Sequence, residues 1–191
     1  MNLLHPTLWR TCRVLANPVR LRVLCHIAEG GEAHVSETAR ACHLPLSSAT
    51  AALRALQARG LLGVRREGLF VIYSAHADDS VEHASAVLAA VRQAFRRHDP
   101  TEEMVRAATA FTHVRRILIV QALATQPVDA VTLAGVCGIS RPALYRHLDK
   151  LARRGVVAAD EHDVWRLLMP DSRLLQDLLM LVCAQHAPVV A

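Results

Sequence analysis

Apolar residues recur at helical spacing in several separate stretches of this chain, and short strand-like runs punctuate them. Val19, Val23, Leu24 and Ile27 share one face of a predicted helix. It opens at Asn17-Pro18, a cap followed by proline at the first helical position, and stops at Gly30-Gly31. Ser36 is placed to cap a short helix bearing Ala39 and Cys42. After Leu44-Pro45-Leu46 a third helix is predicted over about 47–59, with Gly60 to end it. The period then changes: residues 61–66 and 69–74 read as strands around the tight turn Glu67-Gly68.

The same order of elements is predicted again further on. A helix ends near Leu123, Thr132 caps a short helix running through Cys137, and Gly138 breaks the chain. Ser140 and Pro142 open a helix over about 141–154 that ends before Gly155. Residues 156–158 and 164–168 make the second hairpin, around Asp160-Glu161-His162-Asp163. Between the two sets, residues 80–97 form an amphipathic helix, Asp99-Pro100 breaks it, and Thr101 with Glu102 and Glu103 caps another. A closing helix from Asp171 carries Leu174, Leu175, Leu178, Leu179 and Leu181.

The recurrence extends to the residues themselves. Laid over one another without a gap, 18–62 and 113–157 pair Val19/Val114, Arg20/Arg115, Ala39/Ala134, Cys42/Cys137, Leu53/Leu148, Leu56/Leu151, Arg59/Arg154 and Gly60/Gly155. A unit of this length is a small domain rather than a solenoid repeat. The expected fold class is therefore mainly α with small β-hairpins: two winged helix-turn-helix domains, residues 1–98 and 99–191, joined by helices as an intramolecular pseudo-dimer.

Composition narrows the function. The N-terminal stretch lacks the layout of a signal peptide, no uncharged run approaches a membrane span, and five cysteines without Cys-x-x-Cys spacing suit a reduced compartment. A cytoplasmic protein with no membrane partner is expected. The net charge of +5 lies wholly in residues 1–98, with 12 Arg against 7 acids, whereas residues 99–191 are neutral. Such an excess permits nucleic-acid binding without demanding it. No glycine-rich strand-to-helix loop and no catalytic constellation is visible, so an enzyme is not expected.

Two stretches resemble the ArsR/SmtB-type bacterial repressors. The first is Leu15-Ala16-Asn17-Pro18-Val19-Arg20-Leu21 together with the wing Gly60-Leu61-Leu62 to Arg65-Arg66-Glu67-Gly68-Leu69-Phe70-Val71-Ile72-Tyr73. The second, Gly138-Ile139-Ser140-Arg141-Pro142-Ala143-Leu144-Tyr145-Arg146-His147-Leu148, looks like that family's recognition helix. The resemblance implies a transcription regulator, in all expectation a repressor, whose recognition helices enter the major groove of double-stranded DNA while the wings follow phosphates. Family members are usually homodimers joined through first and last helices. A further homodimer of this chain stays open, as does a small-molecule or redox effector.

Helical geometry names the contacts. Leu144, Leu148 and Leu151 point inward, so Pro142, Arg146, Asp149 and Arg153 point outward, flanked by Tyr145 and Lys150. Arg146 suits guanine N7 and O6 or a phosphate, while Lys150 and Arg153 suit phosphates; Ser140 and Arg141 stand at the helix start. In the first unit the outward row is Ser47, Ala51, Arg54 and Ala58, with Ser48 and Thr50 beside it. Arg65 and Arg66 fit phosphates on the first wing, and the acidic second wing would be repelled by them. Arg59 and Arg154 close their helices and meet the helix dipole, a structural role.

Many family members bind metal through a Cys-Val-Cys at the second helix. His34, Val35 and Ser36 stand there instead, and Asp79, His83 and His98 do not match the family's other spacing, so no metal or cofactor is expected. Cys12 and Cys183, on the first and last helices, are candidate redox thiols across the family interface. The competing function is a winged-helix protein-interaction or dimerisation scaffold that no longer binds DNA, suggested by the weakly charged first helix and acidic second wing.

Overall fold

The computed structural model describes residues 7–184. Among them the chain is mainly helical, with two small antiparallel sheets. Helix α1 (Leu8–Leu15) precedes a set of α2 (Pro18–Gly30), β1 (Glu32–His34), α3 (Val35–Ala41), α4 (Leu46–Gln57), β2 (Gly63–Glu67) and β3 (Phe70–Ser74). Two joining helices follow, α5 (Ala84–Arg96) and α6 (Thr101–Thr109). Then the order recurs: α7 (Val114–Leu123), β4 (Val128–Asp129), α8 (Ala130–Val136), α9 (Arg141–Ala152), β5 (Val157–Ala159) and β6 (Val164–Leu167), closed by α10 (Arg173–Ala184). Both bounds of α8 and of α9 fall 95 residues after those of α3 and α4.

The helix starts show where local sequence decides and where the sheet does. Asn17 caps α2 as expected, its side chain accepting from the Arg20 N–H at 3.0 Å, with Pro18 behind it. Ser36 does not cap α3. Strand β1 runs straight into that helix, so His34 is the cap, and the Glu37 carboxylate reaches back to its N–H at 2.8 Å. Likewise Asp129, not Thr132, caps α8: its Oδ1 accepts from the N–H groups of Val131 and Thr132 at 2.9 and 3.0 Å. Thr101 lies inside the first turn of α6, where Pro100 takes the cap position, though Glu102 and Glu103 still sit favourably near the helix start.

Each expected hairpin gains a third strand. The sheet orders are β1-β3-β2 and β4-β6-β5, with Ala33 opposite Tyr73 and Asp129 opposite Val164. Strands of three and two residues carry no alternation that a sequence pattern could reveal. The chain turns left-handed at Gly60 (φ +70) and at Gly155 (φ +71), each closing the helix before it.

The core is continuous across the two sets. Leu53, Leu56, Leu144, Leu148 and Leu151 are wholly buried, as is Phe111 in the turn after α6. Helix α1 packs on α2, α4 and α6, and α10 packs on α5, α6 and α7, so packing crosses the turn at 98–100 in both directions. A buried bond of 2.8 Å between Thr11 Oγ1 and His83 Nε2 ties α1 to the start of α5. No helix among the described residues is long and apolar enough to cross a membrane.

Candidate nucleic-acid interface

Helices α4 and α9 each bury a row of apolar side chains and offer the opposite row to solvent. Ala49, Leu53 and Leu56 of α4 are inside, and Ser47, Ser48, Ala51 and Arg54 are exposed, with Ala58 in the turn beyond. Thr50 is half-buried, and its hydroxyl donates to the Leu46 carbonyl at 2.7 Å, so it is already engaged. On α9, Leu144, Leu148 and Leu151 are inside. Arg141, Pro142, Arg146, Asp149 and Lys150 are exposed on the helix, with Arg153 after it. Ser140 holds the cap position in extended backbone, exposed and with no capping bond from its side chain. Its hydroxyl is therefore available to an acceptor outside the fold.

Other candidates are partly spoken for. The Tyr145 hydroxyl donates to Asp163 Oδ2, and the Trp165 Nε1–H donates to Asp163 Oδ1 at 2.9 Å. Tyr145 thus fastens α9 to its wing instead of flanking the outward row. Arg153 is held by Asp149 at 3.0 Å, an exposed pair one turn apart. The wing acids also acquire structural work: Asp160 Oδ1 accepts from the N–H groups of His162 and Val164, at 2.9 and 3.0 Å, and these bonds hold its carboxyl below its ordinary pKa. Glu161 stays largely exposed, 3.7 Å from His162 Nε2, so a repulsive element persists on this wing.

On the first wing Arg65 and Arg66 do not act as a pair. Adjacent strand residues point to opposite faces. Arg65 bridges Glu32 at 2.9 Å and Glu67 at 2.6 Å, which raises its own pKa and lowers that of Glu32. Arg66 is exposed, with no ion-pair partner among the described residues. It is the arginine of this wing that can meet a phosphate. The tip beyond it is apolar, with Leu69 and Phe70 largely exposed after Gly68.

A second basic region was not anticipated. The rings of His113 and His147 lie 4.7 Å apart, centroid to centroid, near Arg116, Arg115, Lys150 and Arg13. Burial first, then these cations, hold His113 below its usual pKa; burial, then His113 with Arg116, Arg115 and Lys150, holds His147 at about 4. His147 faces this cluster because it stands one position short of the leucine row, a placement the α9 periodicity allowed but charge reading overlooked.

The candidate redox thiols do not survive as a pair. Cys12 is wholly buried and its thiol is pushed up to about 12, chiefly by desolvation. Burial also raises the half-buried Cys183. The helices bearing them pack mainly on other partners, α1 on α2, α4 and α6 and α10 on α5, α6 and α7. A protonated, enclosed thiol is a poor nucleophile toward oxidants. His83 is committed to Thr11, and among the described residues no three His, Cys, Asp or Glu side chains group to hold a metal ion.

No family model and no curated protein matches this chain. Among solved structures, one similar to part of it is the solution NMR structure of a homodimeric winged helix-turn-helix DNA-binding domain from Mycobacterium bovis, fragment 1–100 of a possible ArsR-family transcriptional regulator. The two are 34% identical over 48% of this chain and 80% of that one, with a TM-score of 0.39.

Proposed function

We propose that this chain is a sequence-specific double-stranded DNA-binding transcription regulator, acting as a repressor by occupying its operator. In this reading residues 1–98 and 99–191 are two winged helix-turn-helix units, related by duplication and joined as an intramolecular pseudo-dimer. The observation that carries it is the surface of α9. A buried leucine row fixes the helix, and Arg141, Arg146 and Lys150 project from the opposite side without acidic partners among the described residues. An arginine so placed can grip guanine N7 and O6 through both arms of its guanidinium, while Lys150 and Ser140 take phosphates. Helix α4 contributes Ser47, Ser48 and Arg54, a low surface that lets a backbone approach closely, and Arg66 extends along the strand of phosphates.

One observation favours the competing reading of a protein-binding scaffold. Arg65 and Arg153 are tied to carboxylates, Tyr145 to Asp163 and Thr50 to the Leu46 carbonyl, so four of the side chains expected to meet DNA already have partners within the fold. A mobility-shift assay separates the two. With a duplex taken from upstream of the coding sequence, the regulator predicts retardation that survives excess unrelated duplex and weakens steeply with salt. Retardation equally lost to any competitor DNA, or none, rules for the scaffold.

A further inference from the structure

Behind the end of α4 a pocket of about 240 Å³ opens between α1, the first turn of α2 and the turn that follows α4. Trp9, Arg10, Arg13, Val14, Arg20 and Arg59 line it. Four of the six are arginines, and no carboxylate is among them. Arg10 lies over the Trp9 ring, 5.0 Å from its centroid. Arg59 Nη1 is buried and has no hydrogen-bond partner. Desolvation, then the charge of Arg10, depresses the Arg59 pKa.

The corresponding arginine of the second set is built differently. Arg154, 95 residues on, gives its Nε–H to Thr109 Oγ1 at 2.8 Å and an Nη1–H to the Lys150 carbonyl at 2.7 Å. Where the fold needs only a structural arginine at this position, it satisfies it. In the first set the same guanidinium is left with a buried donor facing three more arginines. A buried donor without an acceptor and converging like charges both raise the free energy of the empty state. An oxyanion relieves both at once, and guanidinium forks match its geometry.

We infer that this pocket binds the phosphate group of a small molecule, with Arg59 Nη1 as the buried donor, Arg10, Arg13 and Arg20 around it, and the Trp9 indole as an apolar wall. A phosphate dianion is favoured over a single carboxylate because four of the six lining residues are arginines and none is acidic. The phosphate is a free ligand's rather than the operator's. Arg59 is half-buried on the α1 side of α4, whereas the solvent-facing row of that helix is Ser47, Ala51, Arg54 and Ala58. Because α1 also packs on α6, the ligand would draw together α1, α2 and the end of α4 at the junction between the two sets. That regulatory consequence rests on the DNA-binding reading; the binding site itself does not.

The test uses the full chain, titrated near neutral pH with inorganic phosphate and with pyrophosphate, against sodium chloride at equal ionic strength. Calorimetry and thermal shift are expected to give one saturable phosphate or pyrophosphate site with a rise in Tm beyond that of chloride. Arg13→Gln and Arg59→Gln each weaken it about tenfold or more, and Arg40→Gln, exposed on α3, leaves it unchanged. Arg13 is exposed, so its variant carries the test if Arg59→Gln does not fold. A response no larger than chloride's, or equal binding by the Arg13 variant, overturns the site. If phosphate and pyrophosphate do not bind, yet Arg13→Gln weakens duplex binding and flattens its salt dependence, the anion is the DNA backbone and the small-ligand assignment fails.

Discussion

Leu53 and Leu148 occupy the same turn of α4 and α9, both wholly buried, and Leu56 and Leu151 repeat the match. On the outer row the two helices diverge. Ala51 in α4 stands where α9 has Arg146, Arg54 where it has Asp149, and Ala58 where it has Arg153. The backbone and its core therefore fix where a reading surface can be, and leave its chemistry free. If both surfaces meet one duplex, they read it unequally: α9 through charge at base edges, α4 through close approach of small polar groups. That asymmetry would suit an operator with unlike half-sites better than a palindrome.

The strongest test of the shared framework is to remove its matched leucines. Leu53→Ala and Leu148→Ala should each cost about 2–5 kcal/mol of stability, the range for deleting a buried leucine side chain. Because one core spans both sets, each variant should still unfold in a single transition by chemical denaturation. Two separated transitions would mean that the sets fold independently.

The paired glycines sharpen the same comparison. Gly60 and Gly155 have nearly the same positive φ, so alanine is strained at either, by about 1–2 kcal/mol. At Gly60 an added Cβ would also meet Val81 Cγ2 at 2.9 Å, whereas at Gly155 nothing lies within 4 Å. Gly60→Ala should consequently be the worse by about 1–3 kcal/mol, read from denaturation midpoints. Equal costs would show that the Val81 loop yields.

For recognition, Arg146→Ala should weaken operator binding by about 1–3 kcal/mol and relax base preference at one position. Arg54→Ala should lower affinity less, and similarly across sequences, if it meets only phosphate. Both are measurable by mobility shift against a panel of single base-pair changes. An Arg146 variant indistinguishable from the parent removes α9 from the groove.

What could be read from the chain alone follows from the range over which each feature is determined. Leucine spacing within one helix fixed the inner and outer rows of α4 and α9, because periodicity is local. The caps of α3 and α8 were misplaced because β1 and β4, too short to leave a pattern, deliver His34 and Asp129 to the cap positions. Side-chain pairing was further out of reach. Glu32 meets Arg65 only because β1 and β2 flank β3, and Trp9 lines one pocket with Arg59 only because α1 packs on α4. A charge count sees an arginine, and only the tertiary fold says whether a carboxylate already holds it.

The histidine pair has no counterpart in the first set, since Pro18 and Ala52 stand where the second has His113 and His147. The unfolded chain protonates this imidazole near 6.5, whereas the folded protein resists until about 4. Between those values the unfolded state binds more protons, so stability falls as pH drops through that window and the term is constant above it. Thermal melts from pH 7 to 4 should show this loss, and His147→Gln should reduce its slope. An unchanged slope would mean that other groups carry the acid sensitivity.

The smallest expected effect lies where the outer rows carry opposite charge. Asp149 and Arg153 form a pair that is mostly solvent-exposed, with side chains 53% and 74% accessible, and such pairs contribute about 0–1 kcal/mol. Asp149→Asn should thus leave the melting temperature nearly unchanged. It does, however, release Arg153 and delete a negative charge from the row that faces solvent beside Arg146. Affinity for any duplex should rise a few-fold, with a steeper dependence on salt, because one more cation is free to displace counterions. Selectivity among sequences should stay the same or fall slightly. If Asp149→Asn instead weakens specific binding while stability holds, the carboxylate itself contacts a base, as an acceptor from cytosine N4 would require, and the assignment of Arg153 to phosphate must be reversed.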